Sequence, residues 1–146
     1  MKKIFSILIL GMFFAITACA DREVISQNVN DLPQAARTTL TQHFAAVKLS
    51  YIKIEKESLR GTTYEVRLDD GAEIKFNTQG EWTEVERKGA GVPAAFVPKS
   101  IADYVQKSYP GCVVTKIEKA RKGYEVELSN ALDLRFNKSG KLVGVD

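Results

Sequence analysis

The feature that most constrains this chain is that its second half repeats its first. Tyr64-Glu65-Val66-Arg67-Leu68 returns sixty residues later as Tyr124-Glu125-Val126-Glu127-Leu128. The correspondence continues without a gap: Ile74-Lys75-Phe76-Asn77 matches Leu134-Arg135-Phe136-Asn137, Gly80 matches Gly140, and Val85 matches Val145. Upstream, Lys53-Ile54-Glu55-Lys56 returns as Lys116-Ile117-Glu118-Lys119, and Leu32-Pro33 as Val97-Pro98. A shared order of blocks means one supersecondary unit used twice, each copy too small to bury its apolar face alone.

Each copy opens on a helical pattern. Ala36, Leu40, Phe44 and Val47 recur at helical spacing in the first, and Ile101, Val105 and Tyr109 in the second, with Tyr104 beside them. Pro33 and Pro98 suit the first turn, where a missing N–H costs nothing, and Pro110-Gly111 stops the second helix. Four short strands are predicted in each copy, over 50–57, 62–69, 72–77 and 82–87, then 113–120, 123–129, 132–137 and 141–146. Their period is two. Tyr64, Val66, Leu68, Ala72, Ile74 and Phe76 point one way, and Glu65, Arg67, Glu73 and Lys75 the other, which describes an antiparallel sheet with one covered and one wet face. The predicted fold is α+β: two tandem units of a helix plus four antiparallel strands, the helices on one sheet face and the other face open.

Register follows from the turns. For Leu68 to face Ala72 and Val66 to face Ile74, the loop must be Asp69-Asp70-Gly71, three residues with glycine at the left-handed position. That register sets Arg67 opposite Glu73 and Glu65 opposite Lys75, both opposite-charge pairs. In the second copy Glu125 faces Arg135, but Glu127 faces Asp133, two like charges on the open face. They are either solvated charges that repel weakly through screening water or an acidic spot for a partner's Lys or Arg or for a cation. Counting in twos along the last strands puts Val143 and Val145 inside. Leu142 and Gly144 then face out, and by position so do Trp82 and Glu84. Trp82, the single tryptophan, is either an aromatic interface anchor or packed against the sister repeat or the linker.

The first twenty residues have the composition of an export signal: Lys2 and Lys3, then an apolar run from Ile4 to Ile16 too short for the ~20 residues of a membrane span. Two processing routes fit. Ala18-Cys19-Ala20 reads as a small-residue cleavage site, and Ile16-Thr17-Ala18-Cys19 reads as a lipobox that would acylate Cys19 and anchor the chain to a membrane. The formal charge falls from +3 to +1 when Lys2 and Lys3 leave with residues 1–20, and no basic stripe remains to suggest nucleic acid. Of the two cysteines only Cys112 stays unmodified on either route, so an intrachain disulfide is not expected. The organisation read from the sequence is a signal peptide over 1–20, a polar tether over 21–30, one repeat over 31–87, a linker over 88–96 rich in alanine and glycine, and a second repeat over 97–146.

The residues offer no catalytic constellation. His43 is the sole histidine, and its counterpart in the second copy is Ser108, so the repeat does not demand an imidazole. Cys112 precedes Val113-Val114 and reads as a small apolar core residue. No Gly-x-Ser-x-Gly turn and no phosphate-cradling loop is present. Asp69-Asp70-Gly71 resembles the start of a calcium loop but lacks the later ligands. An enzyme, a cofactor and a metal site are therefore not expected.

The repeated blocks resemble the PepSY-like, putative β-lactamase-inhibitor-like family of secreted bacterial proteins. Tyr64-Glu65-Val66, Gly80-Glu81-Trp82 and Tyr109-Pro110-Gly111 carry the likeness best, and it spans roughly residues 31–146. The resemblance implies tandem helix-plus-sheet units, an extracytoplasmic location, and no catalytic residues. The inhibitor label is a likeness of fold, which does not transfer activity. The expected function is a non-enzymatic binding module in the periplasm, free or lipid-anchored at Cys19. Its expected partner is a protein of the cell envelope, bound through Trp82, Glu84, Arg67, Glu73 and Leu142 on the open face, with inhibition of a hydrolase as one outcome. The alternative is a sensor of a small ligand or cation through Glu127 and Asp133. Contact with a membrane is expected only through Cys19.

Overall fold

The computed structural model describes residues 22–146; the segment expected to be a signal peptide, with Cys19, lies outside them. Nine strands follow one another as a single antiparallel meander in chain order. They are β1 (Arg22–Ser26), β2 (Leu49–Glu57), β3 (Gly61–Leu68), β4 (Glu73–Phe76), β5 (Trp82–Glu86), β6 (Val114–Ala120), β7 (Gly123–Leu128), β8 (Asp133–Asn137) and β9 (Leu142–Val145). Helices α1 (Gln34–His43) and α2 (Lys99–Ser108) pack on one face, each preceded by its proline at the cap position. Among the described residues no helix is long and apolar enough to cross a membrane.

One core runs under both helices. It contains Ala36 and Phe44 of the first helical segment, Ile101 and Val105 of the second, and the inward rows Ile52, Val66, Ile74, Val85, Ile117, Val126 and Leu134. The two copies are therefore halves of one sheet. Strand β5 of the first pairs with β6 of the second, Val85 opposite Ile117 and Glu86 opposite Lys116. The hairpin registers expected from the turns are present: Arg67 faces Glu73, Glu65 faces Lys75, Glu125 faces Arg135 and Glu127 faces Asp133. Gly71 takes the left-handed conformation at φ +84°.

Four sequence expectations are corrected. Residues 21–30 are not a tether: Arg22–Ser26 form β1, paired with β2 from Arg22 opposite Lys56 to Ser26 opposite Ile52, and Val29–Asp31 form a 3-10 turn. The segment expected as a linker over 88–96 is fixed against the second copy. Val92 N–H donates to the Val114 carbonyl at 2.8 Å, and Phe96, 3% exposed, closes over the boundary between the copies. In space Ile52, not Ile54, is the counterpart of Ile117, since each faces the matched valine, Val66 or Val126. A two-residue shift keeps every side chain on its face, so the Lys-Ile-Glu-Lys likeness could not reveal it.

The fourth correction concerns the last hairpin of each copy. A bulge lies between Lys75 and Phe76 and its partners, and another between Arg135 and Phe136 and theirs, inserting Thr83 and Val143 as extra residues. Each extra residue reverses the phase of what precedes it in the strand. Trp82 consequently faces Phe76, and Leu142 faces Phe136, both on the helix side. Val143 is 63% exposed, and Val145, although opposite the buried Leu134, is 47% exposed on the edge strand.

The β7–β8 hairpin brings its strands so close at Gly123 that a Cβ there would stand 1.9 Å from the Phe136 carbonyl oxygen, whereas one on Gly71 would meet nothing within 4 Å. Gly123→Ala should therefore lower stability by about 2–3 kcal/mol through overpacking, and Gly71→Ala by about 1 kcal/mol from its left-handed backbone alone. Urea unfolding of both variants measures the difference; equal losses would contradict this reading of the hairpin.

Candidate binding face of the sheet

The face away from the helices is a grid of charges. One cross-strand row reads Lys53, Glu65, Lys75, Glu84, Glu118, Glu125 and Arg135 from β2 to β8. The neighbouring row reads Tyr51, Arg67, Glu73, Glu86, Lys116, Glu127 and Asp133. In the first copy the signs alternate along the first row and the groups pair, while the second row ends in two facing carboxylates, Glu73 and Glu86. Lys53 reaches Glu55 at 2.7 Å and Glu23 at 3.2 Å, and hydrogen bonds to those two carboxylates raise its pKa. Arg67 pairs with Glu73 and stands 3.7 Å from Glu65. Burial would lower the Arg67 pKa, but the Tyr51 hydroxyl and the carboxylates of Glu73 and Glu65 outweigh it and the net shift is upward. Burial opposes the charge of Lys75 in the same way, and Glu84, Glu73 and Glu65 more than restore it.

Glu84 is the hinge between the halves. Only 8% exposed, it lies 3.3 Å from Lys75 of the first copy and 3.4 Å from Lys116 of the second. A carboxylate so enclosed has its ion-pairing capacity used within the fold. Arg67 and Glu73, partnered with each other, are in the same position.

The second half differs in charge. Glu84, Glu118 and Glu125 stand side by side in one row, and Glu127 faces Asp133 in the next, with Asp146 beyond. Lys116 and Arg135 are the cations among them, and Arg135 is held by Asp146 at 2.9 Å. A shallow depression of about 310 Å³ opens here, lined by Lys116, Glu118, Glu125, Glu127, Asp133, Arg135 and Asp146 with Val126 and Leu134 at its floor. The sequence reading found Glu127 and Asp133 but not Glu118 and Glu125. Their apposition depends on the β5–β6 pairing and on the two-residue shift in the alignment of the copies. No group of three or more His, Cys, Asp or Glu among the described residues is arranged to hold a metal ion.

Trp82 and Leu142 do not belong to this face. The Trp82 ring meets Phe96 edge-on at 5.4 Å between centroids, and Lys119 Nζ lies 3.8 Å from the indole centroid on the other side. Burial lowers the pKa of Lys119, partly offset by Glu81. Phe96 also contacts His43 at 4.9 Å and Phe44 at 5.8 Å. The sole histidine is thus a packing partner of an aromatic cluster. Cys112 is half-buried against the core and is a free thiol. The two are on different elements, and nothing joins them into a nucleophile and its base.

Comparison with known proteins accords with this arrangement. A family model described as putative beta-lactamase-inhibitor-like, PepSY-like matches residues 17–74 and again 62–144. The chain belongs to the PepSY-like family. A crystal structure of a putative periplasmic protein of unknown function from Bacteroides vulgatus is 42% identical, with a TM-score of 0.81 over 86% of this chain and 99% of that one. A putative calcium-regulated periplasmic protein from Bacteroides thetaiotaomicron is 36% identical, with a TM-score of 0.79 over 86% and 96%. A second putative periplasmic protein from Bacteroides vulgatus is 35% identical, with a TM-score of 0.78 over 88% and 98%. No curated protein matches. These relatives of solved structure are described as putative periplasmic proteins, which supports an extracytoplasmic place for this chain.

Glu84→Gln should cost about 1–2 kcal/mol, because Lys75 and Lys116 lose a shared, enclosed carboxylate. The chemical denaturation midpoint measures this, and an unchanged midpoint would remove Glu84 from the join between the copies.

Proposed function

We propose that the protein is a non-enzymatic, extracytoplasmic binding module that takes a basic segment of a protein partner on the acidic half of its open sheet face. One observation carries the reading. The two copies share a backbone, yet the first answers its open-face carboxylates with Lys53, Arg67 and Lys75, while the second sets Glu118 against Glu125 and Glu127 against Asp133, beside Glu84 of the first. Like charges placed opposite each other cost stability, and an arriving Lys or Arg relieves that cost. Such a surface steers a cationic partner and rejects an anionic one. Inhibition of a hydrolase is one consequence of occupying a basic segment near its active site. Lipid attachment at Cys19 would hold the module in the envelope.

A second reading is a cation sensor. It is favoured by the apposition of Glu127 and Asp133 and by the description of the Bacteroides thetaiotaomicron relative as calcium-regulated.

One set of variants separates the two. The native chain and Glu127→Lys/Asp133→Lys are used to capture partners from envelope extract at low and high salt, and both are melted with and without calcium. Salt-sensitive capture of a basic protein by the native chain alone is expected under the first reading, with Thr38→Lys on the exposed side of α1 as a control that still captures. A rise in melting temperature with calcium, abolished by the double variant, favours the sensor, since a ligand of the native state must stabilise it by mass action. Capture that is indifferent to the double variant moves the interface off this face.

A further inference from the structure

The meander sorts its turns by end. At one end of the sheet lie the start of β1 and the β2–β3, β4–β5, β6–β7 and β8–β9 turns. Both helices also begin there, because Gly80 lies against Pro33 and Gly140 against Ser100. This end is basic. The β6–β7 turn is Arg121-Lys122 and the β8–β9 turn carries Lys138 and Lys141, all four exposed. Among the described residues none of the four enters an ion pair. At the β1–β2 corner Arg22 faces Lys56, again two cations side by side. The carboxylates at this end are Glu57, paired with Arg60 at 3.6 Å, Glu81, which accepts from the Asn77 amide at 3.0 Å, and, one step in from Arg22 and Lys56, Glu23 and Glu55, both paired with Lys53. The opposite end carries Asp69, Asp70, Asp133 and Asp146 against Lys48, Arg87 and Lys88.

The basic end also carries the most exposed large apolar side chain among the described residues. The β2–β3 hairpin outreaches its β6–β7 counterpart, and at its tip Leu59 is 99% exposed beside Arg60. An apolar side chain held out on a hairpin tip beside a cation, at an end whose other turns carry Arg121, Lys122, Lys138 and Lys141, has the composition of a surface that enters the headgroup region of a bilayer.

We infer that this end of the sheet docks on an anionic phospholipid bilayer, with Leu59 at the interface and the turn lysines and arginines against lipid phosphates. Two features on the page select a bilayer as the occupant. The charge complements anionic headgroups, which attract each nearby Lys or Arg. The chain also arrives from this side: Arg22 stands at the basic end, three residues after Cys19. Three residues span at most about 10 Å, so a lipid on Cys19 would bring this end and no other to the membrane. Docked in this way, the strands stand upright on the surface and the Asp133–Asp146 end points away from it. The inference is independent of the partner proposed for the open face.

The test uses the chain from Asp21 onward, which keeps every described element and carries no lipid. It is sedimented with vesicles of phosphatidylglycerol and phosphatidylethanolamine, and with vesicles of phosphatidylcholine. Binding to the anionic vesicles alone is expected, with release at about 0.5 M salt, where screening is strong. The variant Arg121→Gln/Lys122→Gln/Lys138→Gln/Lys141→Gln should bind at least about tenfold more weakly. Leu59→Ser should weaken binding as well. All five positions are exposed, so melting temperatures should stay at the native value and separate lost docking from lost folding. Failure to bind anionic vesicles, equal binding to phosphatidylcholine, or native-like binding by the fourfold variant would overturn the inference.

Discussion

The structure depends on one strand pairing, β5 against β6. Without it the first half would be a helix on five strands and the second a helix on four, each with an exposed edge on both sides, and such edges invite pairing with other chains. With it, the inward rows of both copies become one core running from Ile52 to Leu134. The pairing is short, from Glu84–Glu118 to Glu86–Lys116, and it is reinforced on both faces. On the helix side Phe96 sits among His43, Phe44 and Trp82. On the open side Glu84 bridges Lys75 and Lys116. An apolar clamp and an ionic one thus hold the same seam, and the Trp82 indole serves the seam rather than an external partner.

Much of this was legible in the sequence because the turns and the alternation agree. Asp69-Asp70-Gly71 allows one loop length, which dictates Arg67 opposite Glu73, and the same count in the second copy places Glu127 opposite Asp133. What escaped has specific physical causes. The bulges at Thr83 and Val143 leave no mark in a pattern of apolar and polar residues, yet each turns the residue before it to the other face. Trp82 and Leu142 were therefore assigned outward and lie inward. Strand β1 offers only Val24 and Ile25, both β-branched, as its signal, and two apolar residues beside Arg22 and Glu23 resemble a polar tether. The row Glu84, Glu118, Glu125 needs a pairing between copies, and that is a tertiary fact.

Duplication gives the protein two chemically distinct surfaces on one backbone. The lengthwise asymmetry, cations at one end and aspartates at the other, arises from which turns each copy carries. The crosswise asymmetry arises on the open face, where Lys53 of the first copy is replaced in space by Glu118 of the second. Neither change touches the core, so the charge pattern could diverge while the fold stayed constant, since surface positions away from packed or paired groups tolerate substitution at little cost. The relatives of solved structure share the fold over nearly their whole length.

The central claim is that two repeats make one folding unit through the β5–β6 seam. Differential scanning calorimetry tests it most directly. A single cooperative unit gives one transition whose calorimetric enthalpy equals its van't Hoff enthalpy, and Phe96→Ala should lower the temperature of that whole transition. Two resolved transitions in the native protein, or a calorimetric enthalpy about twice the van't Hoff value, would mean that each repeat melts alone and would contradict the account.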